Sequence, residues 1–262
     1  MCGRYLRRSD KQKIAEAFRA ANDLSEIVLP EWDYNVAPAT FQPVIRLDLE
    51  RGERELTLMR WGLLPFFAKS PKDFGYSTIN AKAETLLTSR IYRSPLERRR
   101  CLVPADGFYE WKVLSQPPVV PEPSLFELRA AEAKPKKKVA VEKHPYAFTL
   151  RSGEPFAFAG LWERWRDPEH RDAAPLETFT IITTEPNELT AEVHTRMPAI
   201  LAPKDYAAWL EAGKDLRPPV ELLRPFPAEE MQASKAHQDV GNVRNNRPEL
   251  MICEEPLDLN SR

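Results

Sequence analysis

The sequence predicts an α+β fold, and three observations carry that prediction. Short runs rich in β-branched and aromatic residues recur through the middle of the 262-residue chain, at strand length rather than helix length. Apolar residues at helical spacing are confined to the flanks, near residues 10–21 and again after Pro203. Hydrophobic residues make up 42% of the chain, enough for it to bury a core and fold alone.

Each element has a local justification. Ser9 followed by Gln12 is a capping-box pattern, and Ile14, Ala17, Phe18 and Ala21 then recur at helical spacing, which predicts an amphipathic helix over roughly 10–21. Val44 to Leu49 and Leu56 to Trp61 are strand-like. The intervening Glu50-Arg51-Gly52-Glu53 is a turn, so the two read as a hairpin. Ala83 to Ser89 reads as helical. Further strands are predicted at Cys101–Val103, Phe108–Lys112, Tyr146–Leu150, Phe156–Trp162 and Phe179–Thr184. A second flanking helix begins near Pro203, a residue suited to a first helical turn, and runs through Tyr206, Trp209 and Leu210 to Gly213 as its stop. Between two of the strands, the segment at about 115–144 holds five prolines, no glycine and the run Lys134-Pro135-Lys136-Lys137-Lys138. It reads as an insertion, either a mobile solvated loop or an extra phosphate contact. The acidic C-terminal tail, about 251–262, has no periodicity and is expected to be poorly ordered.

Composition excludes several classes of protein. Arg4, Arg7, Arg8 and Asp10 interrupt any N-terminal apolar run, and no stretch approaches the roughly 18 apolar residues that span a bilayer. A soluble cytoplasmic protein with no membrane partner is expected. Cys2, Cys101 and Cys253 are far apart and odd in number, and with four scattered histidines they suggest no disulfide framework, metal site or cofactor. The formal net charge of −1 offers no global attraction to nucleic acid. Between Arg60 and Lys112, however, ten Lys/Arg stand against five Asp/Glu. That excess suits a local phosphate-binding patch or a solvated charged face.

Chemistry concentrates in four short segments. In the first, Cys2 follows the initiator methionine, and removal of Met1 would leave an α-amine and a thiol on one carbon. The amine, with a reference pKa near about 7.7–8.0, is partly neutral at pH 7, and the thiol titrates near about 8.5. Together they capture an aldehyde, the amine as a Schiff base onto which the thiol closes to a five-membered thiazolidine. Taken alone, a Cys at position 2 is an ordinary terminal residue. The second segment, Thr78 to Glu84, sets Asn80 before a predicted helix start. In the third, Ala105 to Lys112, strand alternation points Glu110 away from Tyr109 and Trp111, whose burial would hold the carboxylate rigidly on the other face. That suits proton transfer, or an ordinary cross-strand ion pair. The fourth, Glu192 to Pro198, carries His194, whose near-neutral pKa makes acid–base chemistry possible; a satisfied polar histidine is the plain alternative.

Taken together, the motifs resemble the SRAP (SOS response-associated peptidase) family. They are Met1-Cys2-Gly3-Arg4, Asn35-Val36-Ala37-Pro38, Arg60-Trp61-Gly62-Leu63, Ile79-Asn80-Ala81-Lys82, Ala105 to Trp111, His194-Thr195-Arg196-Met197-Pro198 and Gly241-Asn242-Val243-Arg244-Asn245, in order over about residues 1–250. The resemblance implies one α+β domain built around a curved, barrel-like antiparallel sheet with a basic channel. It implies an abasic-site sensor that binds single-stranded DNA and forms a stable thiazolidine cross-link through Cys2, acting as a monomer and nucleoid-associated when bound. By the family's pattern Cys2 carries both nucleophiles, Asn80 positions the terminus or sugar, Glu110 transfers protons, and His194 assists ring opening, Schiff-base steps or reversal. Met1 removal would be self-processing, so peptidase and lyase-type activities belong to the same implication.

DNA contacts carry over only where motifs match. Arg4, Asn35, Arg90 and Arg196 are expected to meet phosphates or nucleotides, and Phe66 and Phe67 stand where the family has wedge residues. Each base stacked on an aromatic face is worth roughly 1–3 kcal/mol. Two adjacent phenylalanines equally suit a core. Lys82 stands where the family frequently has arginine, keeping the charge but losing the bidentate fork. Two other classes stay open on the residues: an N-terminal-nucleophile cysteine hydrolase using Cys2, Glu110 and His194, and a non-covalent single-strand DNA or RNA binder.

Overall fold

The computed structural model describes residues 2–48, 50–114, 142–170, 172–211 and 217–251. Strand β1 (Arg4–Arg7) starts two residues after Cys2, and helix α1 (Lys11–Phe18) follows it. The helix is shorter than its periodicity predicts, and the Ser9 capping box is not used. Asp106 takes Ser9 instead, its carboxylate accepting from the Ser9 hydroxyl and amide at 2.9 Å each. Asp10 becomes the N-cap, accepting from the Lys13 amide at 2.8 Å. Arg19, left-handed with φ 55°, ends the helix and turns the chain toward a bridge between Ala20 and Arg54.

Strands β2 (Asp33–Val36), β3 (Phe41–Asp48) and β4 (Glu53–Trp61) come next. The predicted hairpin is β3–β4, paired from Phe41↔Arg60 to Asp48↔Glu53. Gly52 supplies the positive φ, 69°, that its turn requires. Asn80 opens the short strand β5 (Asn80–Lys82). The expected helix over 83–89 is only a 3-10 turn, Ala83–Thr85, which has no buried residue of its own to pack against the core. The helix of this region is α2 (Arg93–Arg98).

All five mid-chain strands form and extend past their predicted bounds: β6 (Arg100–Ala105), β7 (Gly107–Val113), β8 (Lys143–Leu150), β9 (Phe156–Trp165) and β10 (Leu176–Thr184). Lys143 and His144 belong to β8, so the predicted insertion ends earlier than residue 144. The β7–β8 ladder runs out to Val113↔Lys143, and the Leu114 amide donates to the Glu142 carbonyl at 2.9 Å. The remaining residues of that insertion, 115–141, lie outside the described residues, as do Gly213 and the tail from 252. Helix α3 (Glu188–Ala191), strands β11 (Met197–Pro198) and β12 (Ile200–Leu201), helix α4 (Tyr206–Leu210) and strand β13 (Met231–Lys235) complete the chain. The predicted helix at Pro203 starts as a 3-10 turn, Pro203–Asp205, before becoming α4.

Pairing of β10 with both β9 and β4 closes β10-β4-β3-β6-β9 into a five-stranded barrel, with β11 and β12 attached at its ends and β5 parallel to β10. The expected barrel-like sheet is therefore present, and it is mixed rather than purely antiparallel. A second sheet, β13-β8-β7-β1-β2, packs on it. Alternation divides the core. Cys101, Val103, Phe158, Phe179 and Ile181 share one cluster with Cys2, Tyr5, Phe108 and Phe148 of the second sheet. Leu102, Ala157, Ala159, Leu161 and Ile182 point the other way, onto Phe18, Leu96 and Trp209 of the helices. Gly160 permits this closure, since a Cβ there would sit 2.9 Å from Cys101 Sγ and 3.2 Å from the Thr180 carbonyl. No helix among the described residues is long and apolar enough to cross a membrane.

Candidate active site

Register places the terminus. Arg4 pairs with Tyr109 and Tyr5 with Phe108, so continuing β1 backward by one residue sets Gly3 opposite Glu110. Cys2 then lies beside that carboxylate with no exposed surface. Its carbonyl accepts a hydrogen bond from Asn80 Nδ2 at 2.8 Å, and its Sγ lies 3.6 Å from the Arg4 carbonyl. Burial, and then the Glu110 charge, push the Cys2 thiol well above its ordinary range, so it is held as the neutral thiol.

Glu110 faces the same way as Phe108, whereas Tyr109 and Trp111 pack with Leu6 and Ala147 on the opposite side of β7, as strand alternation predicts. Burial pushes its carboxyl up to about 7, a value at which it exchanges protons near neutrality. His194 follows α3 in a turn, and its Nε2 lies 3.9 Å from Glu110 Oε2. Burial lowers its pKa, so the ring is largely neutral at pH 7, where the Glu110 carboxyl is about half ionised. The Arg196 amide, which can only donate, lies 3.0 Å from His194 Nδ1. The Arg196 carbonyl lies 3.2 Å from the same nitrogen, so the amide contact suits a ring protonated on Nε2, toward Glu110, and the carbonyl contact one protonated on Nδ1.

Asn80 is held from both sides of its own segment. The Trp61 indole donates to the Ile79 carbonyl at 2.9 Å, and the Tyr92 hydroxyl donates to the Asn80 carbonyl at 3.2 Å. With its backbone clamped, the side chain has little freedom, and its Oδ1 is buried without a hydrogen-bond partner among the described residues. An acceptor so placed is available to a donor that enters the site. Neither Trp61 nor Tyr92 was singled out from the sequence as part of the site. Trp61 lies in the Arg60-Trp61-Gly62-Leu63 motif, which is the signal that pointed to it.

The residues expected at DNA fall into three groups. Arg4 donates to Asn35 Oδ1 at 2.7 Å and to the carbonyls of Val240 and Gly241, while Asn35 Nδ2 donates to the carbonyls of Asn242 and Asn245. Together they tie the Gly241–Asn245 motif to the edge of β1 and β2. A cleft of about 460 Å³ opens beside them, lined by Gly3, Arg4, Asn35, Pro38, Ile79 and Val243 among others. Second, Phe66 is 67% exposed and meets Phe67 edge to face, and the Arg90 guanidinium lies 5.0 Å over the Phe67 ring. An exposed aromatic beside a cation suits base stacking. Third, Lys82 is exposed at the end of β5, paired in register with Thr183. Arg196 reaches the Thr183 carbonyl at 2.6 Å and forms a two-pronged ion pair with Glu84. Among the described residues no cluster of His, Cys, Asp and Glu suits a metal ion.

Fold and site define a class: a closed mixed barrel braced by a second sheet, presenting a buried cysteine at position 2 to an Asn, a Glu and a His from distant segments. The family model described as SOS response associated peptidase (SRAP) matches residues 1–243, and the chain belongs to that family. It is 38% identical over 257 residues to the abasic site processing protein YoqW of Bacillus subtilis, covering 96% of this chain and 99% of that one. It is 31% identical to the abasic site processing protein HMCES of Gallus gallus, over 99% of this chain and 79% of the relative. Among solved structures, a protein from Bacteroides thetaiotaomicron superposes with a TM-score of 0.75 at 27% identity, over 95% and 98% of the two chains.

Proposed function

We propose that the protein processes abasic sites, trapping them in single-stranded DNA through a covalent bond formed by Cys2 once Met1 has been removed. The observation that carries this reading is the meeting of Cys2 with Asn80, Glu110 and His194 in a family whose relatives bear the name of abasic site processing proteins. An abasic sugar is in equilibrium with a ring-opened aldehyde. The freed α-amine adds to that carbonyl carbon, water leaves, and a Schiff base results. The thiol sulfur then adds to the same carbon and its proton ends on nitrogen, closing a thiazolidine. One water is released and nothing is oxidised or reduced.

The chain's residues have matching tasks. Asn80 holds the Cys2 carbonyl and so orients both nucleophiles. Glu110, protonated below about pH 7, donates to the departing hydroxyl, regains the proton that nitrogen loses as the Schiff base forms, and relays the thiol proton to nitrogen on ring closure. His194 moves a proton at the sugar oxygen during ring opening. Arg4, Lys82 and Arg90 serve phosphates, while the Arg196 guanidinium is taken up by Glu84 and the Thr183 carbonyl; Phe66 and Phe67 stack on bases or wedge against a second strand. Release of Met1 at the same site gives the chain a self-processing peptidase step.

Intact mass spectrometry after incubation with abasic single-stranded DNA tests the reading. The expected product starts at Cys2 and carries the DNA mass less one water. Cys2→Ala should bind DNA without forming the stable product, although its α-amine still gives a Schiff base that hydride traps. An adduct at wild-type yield from Cys2→Ala, or from a chain that retains Met1, would overturn the thiazolidine. Absence of any covalent species with abasic DNA would leave only reversible binding.

A further inference from the structure

Glu84 stands outside every role assigned above, yet it is joined to His194 of the site through Arg196, whose side chain it holds and whose backbone meets the imidazole. It lies in the 3-10 turn that leaves β5. Its Oε1 accepts from Arg196 Nη1 at 2.6 Å and its Oε2 from Nη2 at 3.0 Å, the fork geometry in which a guanidinium is held in orientation as well as in place. The same Nη2 donates to the Thr183 carbonyl at 2.6 Å, so residue 196 is pinned between β10 and the exit of β5. Its backbone meets His194 twice at one atom. The Arg196 amide lies 3.0 Å from Nδ1, and the Arg196 carbonyl lies 3.2 Å from that same nitrogen.

These two contacts demand opposite protonation. The amide requires Nδ1 to be an acceptor, which leaves the ring proton on Nε2, 3.9 Å from Glu110 Oε2. The carbonyl would take a proton from Nδ1 and leave Nε2 bare. Small rotations of the backbone at Arg196 therefore select the tautomer, and the Glu84 fork restrains that residue. We propose that Glu84 is a positioning residue which, through Arg196, fixes His194 as the tautomer whose Nε2–H faces Glu110. The consequence for catalysis rests on the abasic-site reading; the consequence for the imidazole does not. A competing role has the opposite sign. Were Glu84 a stand-in for phosphate, shielding Arg196 until DNA displaced it, its removal would strengthen DNA binding.

The test uses the full chain after Met1 release, with Glu84→Ala and Glu84→Asp beside wild type. Glu84 is 53% exposed and Arg196 keeps its Thr183 contact, so both variants should fold, which a thermal melt checks. Long-range ¹H–¹⁵N correlation spectra, assigned with His194→Gln, report the imidazole tautomer without DNA. We expect the Nε2-protonated form in wild type, a mixture in Glu84→Ala and restoration in Glu84→Asp. Cross-linking at saturating abasic single-stranded DNA should slow about tenfold in Glu84→Ala and recover in Glu84→Asp, while affinity for intact single-stranded DNA stays within about twofold. An unchanged tautomer in Glu84→Ala, or tighter DNA binding at an unchanged rate, would overturn the proposal. Absence of any adduct from wild type would instead sink the abasic-site reading and leave the tautomer result standing.

Discussion

At Glu110 the structure converts burial into chemistry. The carboxyl is lifted from its ordinary value near 4.5 to about 7 by removal from water, so between those values the folded chain holds a proton that the unfolded chain has released. Stability from this residue is therefore full below about pH 4.5 and is lost as pH rises through 7, by on the order of 3 kcal/mol. His194 works in the opposite sense, since its lowered pKa makes the folded chain lose stability as pH falls below its ordinary range. Urea melts from pH 5 to 8 should show Glu110→Gln flattening the alkaline decline, and a decline as steep as in wild type would mean another group sets it. Lys82 is predicted to act as a point charge. Lys82→Arg should keep both DNA affinity and adduct, whereas Lys82→Ala should weaken affinity and reduce the slope of log K against log salt by about one. Fluorescence anisotropy over a salt series measures both, and an unchanged slope would remove Lys82 from the DNA path.

Among the elements, β1 carries the terminus, and Asp106 holds the far end of β1. Its carboxylate accepts from the Arg8 amide at 2.6 Å and from the Ser9 amide and hydroxyl at 2.9 Å. These are charge-assisted bonds made at a buried site. Asp106→Ala should cost on the order of 3 kcal/mol and lower the thermal midpoint. Because β1 runs directly from this anchor to Cys2, cross-linking should slow even at temperatures where the variant remains folded. Stability and rate both equal to wild type would show that the β1–β7 ladder alone positions the terminus.

At the scale of the molecule, the barrel supplies Asn80 through β5 and the second sheet supplies Cys2 and Glu110, so the site exists only where the two sheets pack. The β7–β8 ladder closes at Leu114 and Glu142, on either side of the insertion. Replacing residues 116–140 with a short Gly/Ser linker should leave the thermal midpoint and the cross-linking rate within about twofold of wild type, because closing a shorter hairpin loop lowers the entropic cost of folding. Loss of soluble folded protein, seen by circular dichroism, would make the insertion a structural element.

The features legible from residue order alone were local and chemical. Alternation in Phe108–Lys112 was enough to aim Glu110 away from Tyr109 and Trp111, and apolar runs of strand length located β6 to β10 because central strands bury both faces. A cysteine at position 2 carried its aldehyde chemistry on its own covalent structure. Other features were decided only by tertiary structure. Strands β1, β2 and β5 are three or four residues long, too short for a period to declare itself, and exist because longer neighbours pair with them. The Ser9 cap was outcompeted by Asp106, a residue far along the chain that no local pattern can see. The pKa of Glu110, the tautomer of His194 and the partnership of Glu84 with Arg196 all depend on which segments meet and how much water they exclude. Those are properties of packing, and one-dimensional spacing does not encode them.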